Sequence, residues 1–404
     1  MSDQAHNNNL PIPEFWLGAR AASIERTAGL IGAIGIVACI VGFIFNRPLF
    51  YQSYLFAFLY WGGFTLGGLG ILVLNNTVGG RWGVTSRRYV EAAMRTLPLL
   101  GVLFIILLFG LNQIYPWMHP NQLPEIQRGI AEHRHGYLNV PFFIARAIVY
   151  FAIWLFWGYR LYRLSNQQDA TGDPTLRERM RAFAAPGCLI VTLTATFAYI
   201  DWILSADPLF FSTIYGAMLL FGDVLQTFAL VILAMVITSR DNRFGGRVNP
   251  VVLHDIGNMM FAFTIFWTYL SVSQLIIVWP ANLPQEIQWY QARVRGGWTV
   301  IASAVALVMF LIPFLALLSQ ARKRNPIRLM RVAVWILAAR AVDMFWIVEP
   351  TFRTHGFALY WTDFAAFIGV GGVWVYMFLG QLRRRPLLPL RDPRVMDPLP
   401  EAVA

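Results

Sequence analysis

The stretch FAYIDWILSADPLFFSTIYG, residues 197–216, carries Asp201 within an apolar run and turns back at Asp207-Pro208 after almost no loop. A carboxylate at the centre of a lipid-facing helix costs about 2.5–3.5 kcal/mol on insertion scales, so Asp201 calls for a partner, water or a proton. A connection this short holds no domain, which makes the two flanking helices antiparallel neighbours. The rest of the chain has the same character. Its 404 residues are 57% hydrophobic and 13% charged, with 15 Trp, 15 Tyr and 31 Phe. No soluble chain of this size hides so much apolar surface, so the bilayer is part of its solvent.

Windows of about 18 to 25 apolar residues fall near 29–45, 54–74, 97–114, 141–162, 186–204, 212–238, 255–279, 298–318, 332–349 and 357–380. They predict an all-α integral membrane protein of ten helices with both termini on one side. A polar segment, 1–28, precedes the membrane domain, 29–380, and lacks the cationic start and early apolar core of a signal peptide, so the first helix is expected to insert uncleaved. A Pro- and Arg-rich tail, 381–404, is expected to run extended along the cytoplasmic surface. Of the 32 Lys and Arg, 24 lie on the side of the termini, Arg87 and Arg88 among them, and six on the other. The positive-inside bias therefore puts both termini in the cytoplasm, with Asp201 about one turn from the outer end of the fifth span. Topology accounts for the net charge of +11 better than nucleic acid does. Gly79-Gly80-Arg81 after the second span and Gly245-Gly246-Arg247 after the sixth raise the question of a duplicated four-helix unit, spans two to five and six to nine. Gly63, Gly67 and Gly70 give the second span a small-residue face for close helix packing.

The second unit holds the more informative polar set. Asp223 is expected near mid-bilayer in the sixth span, with Gln226 and Thr227 on the same face. His254, Asp255 and Asn258 open the seventh span, Arg340 and Asp343 lie deep in the ninth, and Glu349 closes it. By height they form a broken ladder from cytoplasm to exterior. One reading is a proton relay of carboxylates and amides linked by water; the other is structural, an Arg340–Asp343 ion pair and a hydrogen-bonded Asp223 that hold helices together. A fixed Arg340 cation repels protons unless Asp343 neutralises it. In the first unit, Arg146 and Asp201 cluster toward the outer face with Ser205, where they either hydrogen-bond a quinone carbonyl or fasten two spans. Asp201 is expected to cap the helix corner. Asp363 and Thr65 read as helix contacts.

Metal and haem chemistry find little support. The six histidines, His6, His119, His133, His135, His254 and His355, supply no two imidazoles facing each other at one membrane depth, as a bis-histidine haem requires. His133 and His135 alone do not define a metal site. Cys39 and Cys188 form neither CxxC nor CxxCH, so no disulfide framework, iron–sulfur site or covalent haem follows from them. The loops at 115–140 and 280–297, rich in Trp and Tyr, are expected to dock an extracytoplasmic partner.

The segments YLFAFLYWGGFTLGGLGILVLNNTVGGRWG (54–83), RRYVEAAMRTLPLL (87–100), FAYIDWILSADPLFFSTIYG (197–216), FAFTIFWTYLSVSQLIIVWPANLPQEIQWY (261–290) and RAVDMFWIVEP (340–350) resemble the F-subunit family of bacterial alternative complex III, in the ten-helix polysulphide-reductase membrane-anchor (NrfD-like) superfamily. The resemblance implies two four-helix bundles with flanking first and last helices. It implies a place in a respiratory or photosynthetic quinol:acceptor oxidoreductase whose electrons pass through an iron–sulfur subunit and multi-haem cytochrome c subunits. The sister NrfD-like membrane subunit would hold the quinol site, for menaquinol or ubiquinol, and this chain would carry no cofactor, serving assembly and proton conduction. The candidate path for those protons is the ladder read from the residues themselves, Asp223, Gln226, His254, Asp255, Asn258, Arg340, Asp343 and Glu349. The alternative within the family is a second quinol-binding subunit using Arg146 and Asp201. A secondary transporter is the alternative from another class, although no pair of Gly/Pro-interrupted spans matches between the halves.

Overall fold

The computed structural model describes residues 16–80, 82–239, 250–281, 287–389 and 391–392. It is 84% helical and has no strands among the described residues. In chain order the helices are α1 Ala19–Phe45, α2 Arg47–Val78, α3 Trp82–Met94, α4 Leu97–Leu108, the short α5 Leu111–Ile114, α6 Glu125–His133, α7 Val140–Thr171, α8 Thr175–Trp202, α9 Tyr215–Ser239, α10 Pro250–Ala281, the short α11 Ile287–Arg293, α12 Trp298–Val305, α13 Ile312–Leu318, the short α14 Gln320–Arg324, α15 Pro326–Val348 and α16 Trp361–Leu382. A π-helical stretch, Ala306–Leu311, joins α12 to α13 within one span.

Local chemistry sets several of the starts. Asn46, Asn139 and Asn325 each accept a hydrogen bond from the backbone N–H three residues on, at 3.1, 2.9 and 3.0 Å, and each is followed by a proline in the first turn. The asparagine satisfies one of the orphan N–H groups of the helix start, and the proline occupies a position whose N–H has no intrahelical acceptor. Pro98 likewise opens α4 and breaks it from α3 at Arg95-Thr96.

Among the described residues nine helical segments are long and apolar enough to cross a membrane. α15, the ninth expected span, is excluded by composition rather than length. Every 18-residue window of its 23 residues contains Arg331, Arg340 and Asp343, yet at 1.5 Å per residue it spans about 34 Å. The outward faces are strongly apolar: along α1, Leu30, Ile34, Val37 and Ile44 are each more than 60% exposed. Such a stripe is stable against lipid and not against water.

α1 and α16 lie antiparallel, so the chain enters and leaves the membrane domain at one end, here the termini end, opposite the far end. In each bundle the first helix packs against the second and the fourth, and the second against the third: α2, α3–α4, α7 and α8 on one side, α9, α10, α12–α13 and α15 on the other. α2 and α9 pack against each other and form the seam. The second glycine pair of the proposed repeat, Gly245-Gly246-Arg247, lies outside the described residues, as does Arg81.

Two expectations at the termini end are corrected. Arg87 and Arg88 do not lie in a polar connection but are buried in α3, where Arg88 pairs with Glu91 at 2.7 Å and with Asp169, while Arg87 donates to Gln168 at 3.0 Å and pairs with Asp392 at 3.2 Å. The described part of the tail does not run extended over the surface. It folds back, burying Leu387, Leu388 and Asp392, and Arg391 donates to the Ala170 carbonyl. The buried Arg87 guanidinium supplies a reason, since its ion pair with the buried Asp392 holds this part of the tail against α3.

Candidate functional site

α9 begins at the far end, and Asp223, its ninth residue, lies about 12 Å along it at 1.5 Å per residue. That is a third of the way down the helix, nearer the far end than the expected mid-bilayer position. Arg340 on the oppositely directed α15 lies about as far from the same end, so the two meet at one height. Arg340 Nη2 donates to Asp223 Oδ1 at 3.2 Å and to the Leu219 carbonyl at 3.3 Å, and Nη1 donates to Asp343 Oδ2. Tyr199 on α8 donates to Asp223 Oδ2. Gln226 Nε2 lies 3.4 Å from Asp223 Oδ1 and 3.2 Å from the Tyr60 carbonyl of α2, and Thr227 donates to Asp223's own carbonyl at 2.7 Å. Asp223, Gln226 and Arg340 are wholly buried and Asp343 nearly so.

The glycines of α2 make this approach possible. A Cβ at Gly63 would stand 2.3 Å from Gln226 Nε2 and 2.5 Å from Asp223 Oδ1, and one at Gly67 would stand 2.3 Å from the Asp223 carbonyl oxygen. Gly222 plays the same part toward Arg340, whose Cζ would lie 2.7 Å from an added Cβ. The small-residue face thus does more than let two backbones approach: it leaves the volume that the charged centre fills. In that centre two carboxylates face one guanidinium. Its net charge is −1 unless it also holds one proton, and an uncompensated charge in a low-dielectric interior costs roughly several kcal/mol.

The remaining rungs of the expected ladder lie elsewhere. At the termini end Lys323 donates to Asn258 Oδ1 at 2.6 Å, Asn258 lies 3.3 Å from His254 Nδ1, and Asp255 approaches His254 at 3.9 Å. Burial lowers the Lys323 ammonium below its ordinary value. This cluster is about 12 Å along the axis from Asp223, given the antiparallel pairing of α9 with α10, and Phe221, Phe228 and Phe263 pack between those helices. At the far end, Arg353 pairs with Asp363 at 2.6 Å and approaches the wholly buried Glu349 at 2.9 Å, while Ser53 donates to Asp363 at 2.6 Å. Among the described residues no hydrogen bond joins the three clusters. Asp363, read from sequence as an isolated contact, belongs to the Glu349 cluster; its place three residues after Tyr360, whose N–H it accepts at 2.9 Å, is the helix-start signal that marked it.

Asp201 does not cap a corner. Arg146 grips it with a two-pronged pair, Nε to Oδ2 and Nη2 to Oδ1, both 2.9 Å, and Tyr150 donates to Oδ2 at 2.9 Å. The third guanidinium nitrogen donates to the Tyr137 carbonyl at 2.7 Å, and the group stacks over the Tyr137 ring at 3.7 Å. Both residues are therefore satisfied within the protein, fastening α7 to α8. The nearby cleft, about 320 Å³, is lined by Arg134, Tyr137, Ser205 and Phe211 among others and not by either member of the pair. In the aromatic loops Tyr115, Trp117, Trp289 and Tyr290 are buried over the helix ends, whereas Ile126 and Tyr137 are exposed. Residues 282–286 of the second loop lie outside the described residues. Among the described residues no group of three or more His, Cys, Asp or Glu is placed to hold a metal ion.

Fold and site together define an all-α integral membrane protein whose deepest charges are gathered at the seam of two four-helix bundles. No family model matches the chain, and no curated protein does.

Proposed function

We propose that the protein is a membrane subunit of a quinol-oxidising electron-transfer complex of the alternative complex III kind, seated in a bacterial cytoplasmic membrane with both termini in the cytoplasm. Haem c and iron–sulfur clusters belong to its partners, a multi-haem cytochrome c and an iron–sulfur subunit, and a sister NrfD-like subunit oxidises menaquinol or ubiquinol. This chain joins the assembly and exchanges protons. The quoted sequence resemblance supports the assignment, and one observation carries the proton reading: Asp223 and Asp343 share a single Arg340 at a fully buried seam. Two acids on one fixed cation form a centre that is neutral with one proton and charged without it. An ionisable group this deep in a membrane bundle marks a functional path by default. Arg340, bound on both sides by carboxylates, no longer repels protons as a bare cation would. Because among the described residues no side-chain hydrogen bond links the centre to the clusters at either end, its proton travels by water.

Asp223→Asn keeps the shape of the centre and removes one carboxylate. In the assembled complex it lowers the number of protons translocated per electron. An unchanged ratio in a complex that assembles would reduce Asp223 to a packing contact.

A further inference from the structure

A groove of about 660 Å³ runs down the lipid side of the first bundle, with α1 and α4 as its walls and α2 and α16 as its floor. It exists because α1 is seated through Gly32 and Gly35 on Gly369 and Gly372 of α16, rather than on α4. Its depth can be read along α4, where Leu99 lines the deep end and Phe109 the mouth, ten residues or about 15 Å apart at 1.5 Å per residue. That is half of a hydrocarbon core of about 30 Å, the reach of one leaflet.

The unspent hydrogen-bonding groups of the groove gather at its mouth, at the far end of the molecule. Arg47, the first residue of α2, stacks over Phe43 at 4.9 Å and pairs with no carboxylate among the described residues, and no acid lines the groove. Gln113 Oε1 is buried without a hydrogen-bond partner. Tyr51 is buried too, and among the described residues its hydroxyl makes no hydrogen bond. Buried polar groups are normally paired, so the mouth offers a cation, a donor and an acceptor to something that is not protein. Deeper down, the lining is aliphatic, with Ile36, Ile40, Val102 and Val370, and the Tyr54 hydroxyl is spent on the Leu103 carbonyl at 2.8 Å.

We infer that the groove binds one phosphatidylglycerol molecule, with its phosphate against Arg47 and Tyr51, a glycerol hydroxyl of its head donating to Gln113 Oε1, and an acyl chain lying between α1 and α4. A basic pocket between membrane helices is suited to an anionic lipid head, and the apolar depth beneath it matches a single chain of one leaflet. A zwitterionic lipid would bring a second cation to a mouth that already holds Arg47 and offers no acid. A membrane-crossing helix of a partner is about 10–12 Å across and about 30 Å long, which neither the volume nor the depth of the groove admits. The inference does not rest on the electron-transfer complex or on the proton centre.

The test uses the purified full-length chain, delipidated in detergent, and native mass spectrometry with dioleoylphosphatidylglycerol as probe and dioleoylphosphatidylcholine as reference. Phosphatidylglycerol is expected to be held about fivefold more tightly, as one basic contact to an anionic head predicts. Arg47→Gln removes that preference, and Val102→Trp, which fills the groove from its exposed wall, removes the tightest-held lipid, both with circular dichroism unchanged. Arg322→Gln, an exposed cation at the opposite end, keeps the preference. Glycerol phosphate, a head without chains, does not compete. Equal retention of the two lipids by the parent, an undiminished preference in Arg47→Gln, an equal loss in Arg322→Gln, undiminished retention in Val102→Trp, or displacement by glycerol phosphate would overturn the inference. So would a polypeptide adduct formed on irradiation of native membranes by benzophenone maleimide attached to Cys39, which lines the groove, in a Cys188→Ser background; that result would give the groove to a partner's helix.

Discussion

Tyr199 and Asp201 stand two positions apart on α8 and so point in different directions, as residues at i and i+2 do. Tyr199 reaches Asp223 in the second bundle, and Asp201 receives Arg146 and Tyr150 in the first. The stretch FAYIDW thus serves both bundles from one helix turn. That charges sit inside apolar runs was legible from the chain; the identity of their partners was not, because Asp201 and Arg146 are 55 residues apart and meet only through the pairing of α7 with α8. Arg146→Ala leaves Asp201 buried with a tyrosine hydroxyl in place of a cation. Breaking such a pair costs about 3–5 kcal/mol, which an SDS-unfolding titration followed by circular dichroism would measure. Arg146→Lys does not restore the loss, because an ammonium lacks the guanidinium fork. An alanine variant as stable as the parent would show that the pair adds nothing to the fold.

Helices show the same division between what is local and what is not. The Asn-to-Pro starts of α2, α7 and α15 are written in adjacent residues. The start of α3 is not, since Trp82–Met94 is polar in sequence and buried throughout by protein rather than lipid; a search for apolar windows begins the span only at 97. Glycine contacts between helices depend on distant partners as well. A Cβ at Gly35 of α1 would lie 2.4 Å from Gly369 Cα of α16, and a Cβ at Gly372 would meet Gly32 Cα at the same distance. The obstacle is backbone and has no rotamer to change. Gly35→Val is therefore expected to separate α1 from α16 and lower the melting temperature, at a cost of about 1–3 kcal/mol as for overpacked cores. Gly129→Ala, with nothing within 4 Å of the added methyl, is the control. Equal melting of the two variants would mean that α1 and α16 do not pack through their glycines.

At the scale of the whole molecule, the antiparallel α1–α16 pair puts both ends of the membrane domain on one side, and the arginine distribution argues that this side is cytoplasmic. Two exposed positions test it. In intact cells an impermeant thiol reagent is expected to label Gln122→Cys at the far end and to leave Arg322→Cys at the termini end unlabelled until the membrane is opened; the reverse pattern would invert the orientation. The all-α class, the approximate places of the spans and the presence of buried charges all follow from the chain alone, because a helix crosses a bilayer when its apolar run is long enough, and run length is a property of consecutive residues. The grouping of those charges belongs to the tertiary structure. Asp223 and Arg340, 117 residues apart, share a centre, while His254 and Glu349 fall into clusters of their own. Contact between helices depends on matched depth and facing sides, and neither quantity exists until the helices have packed.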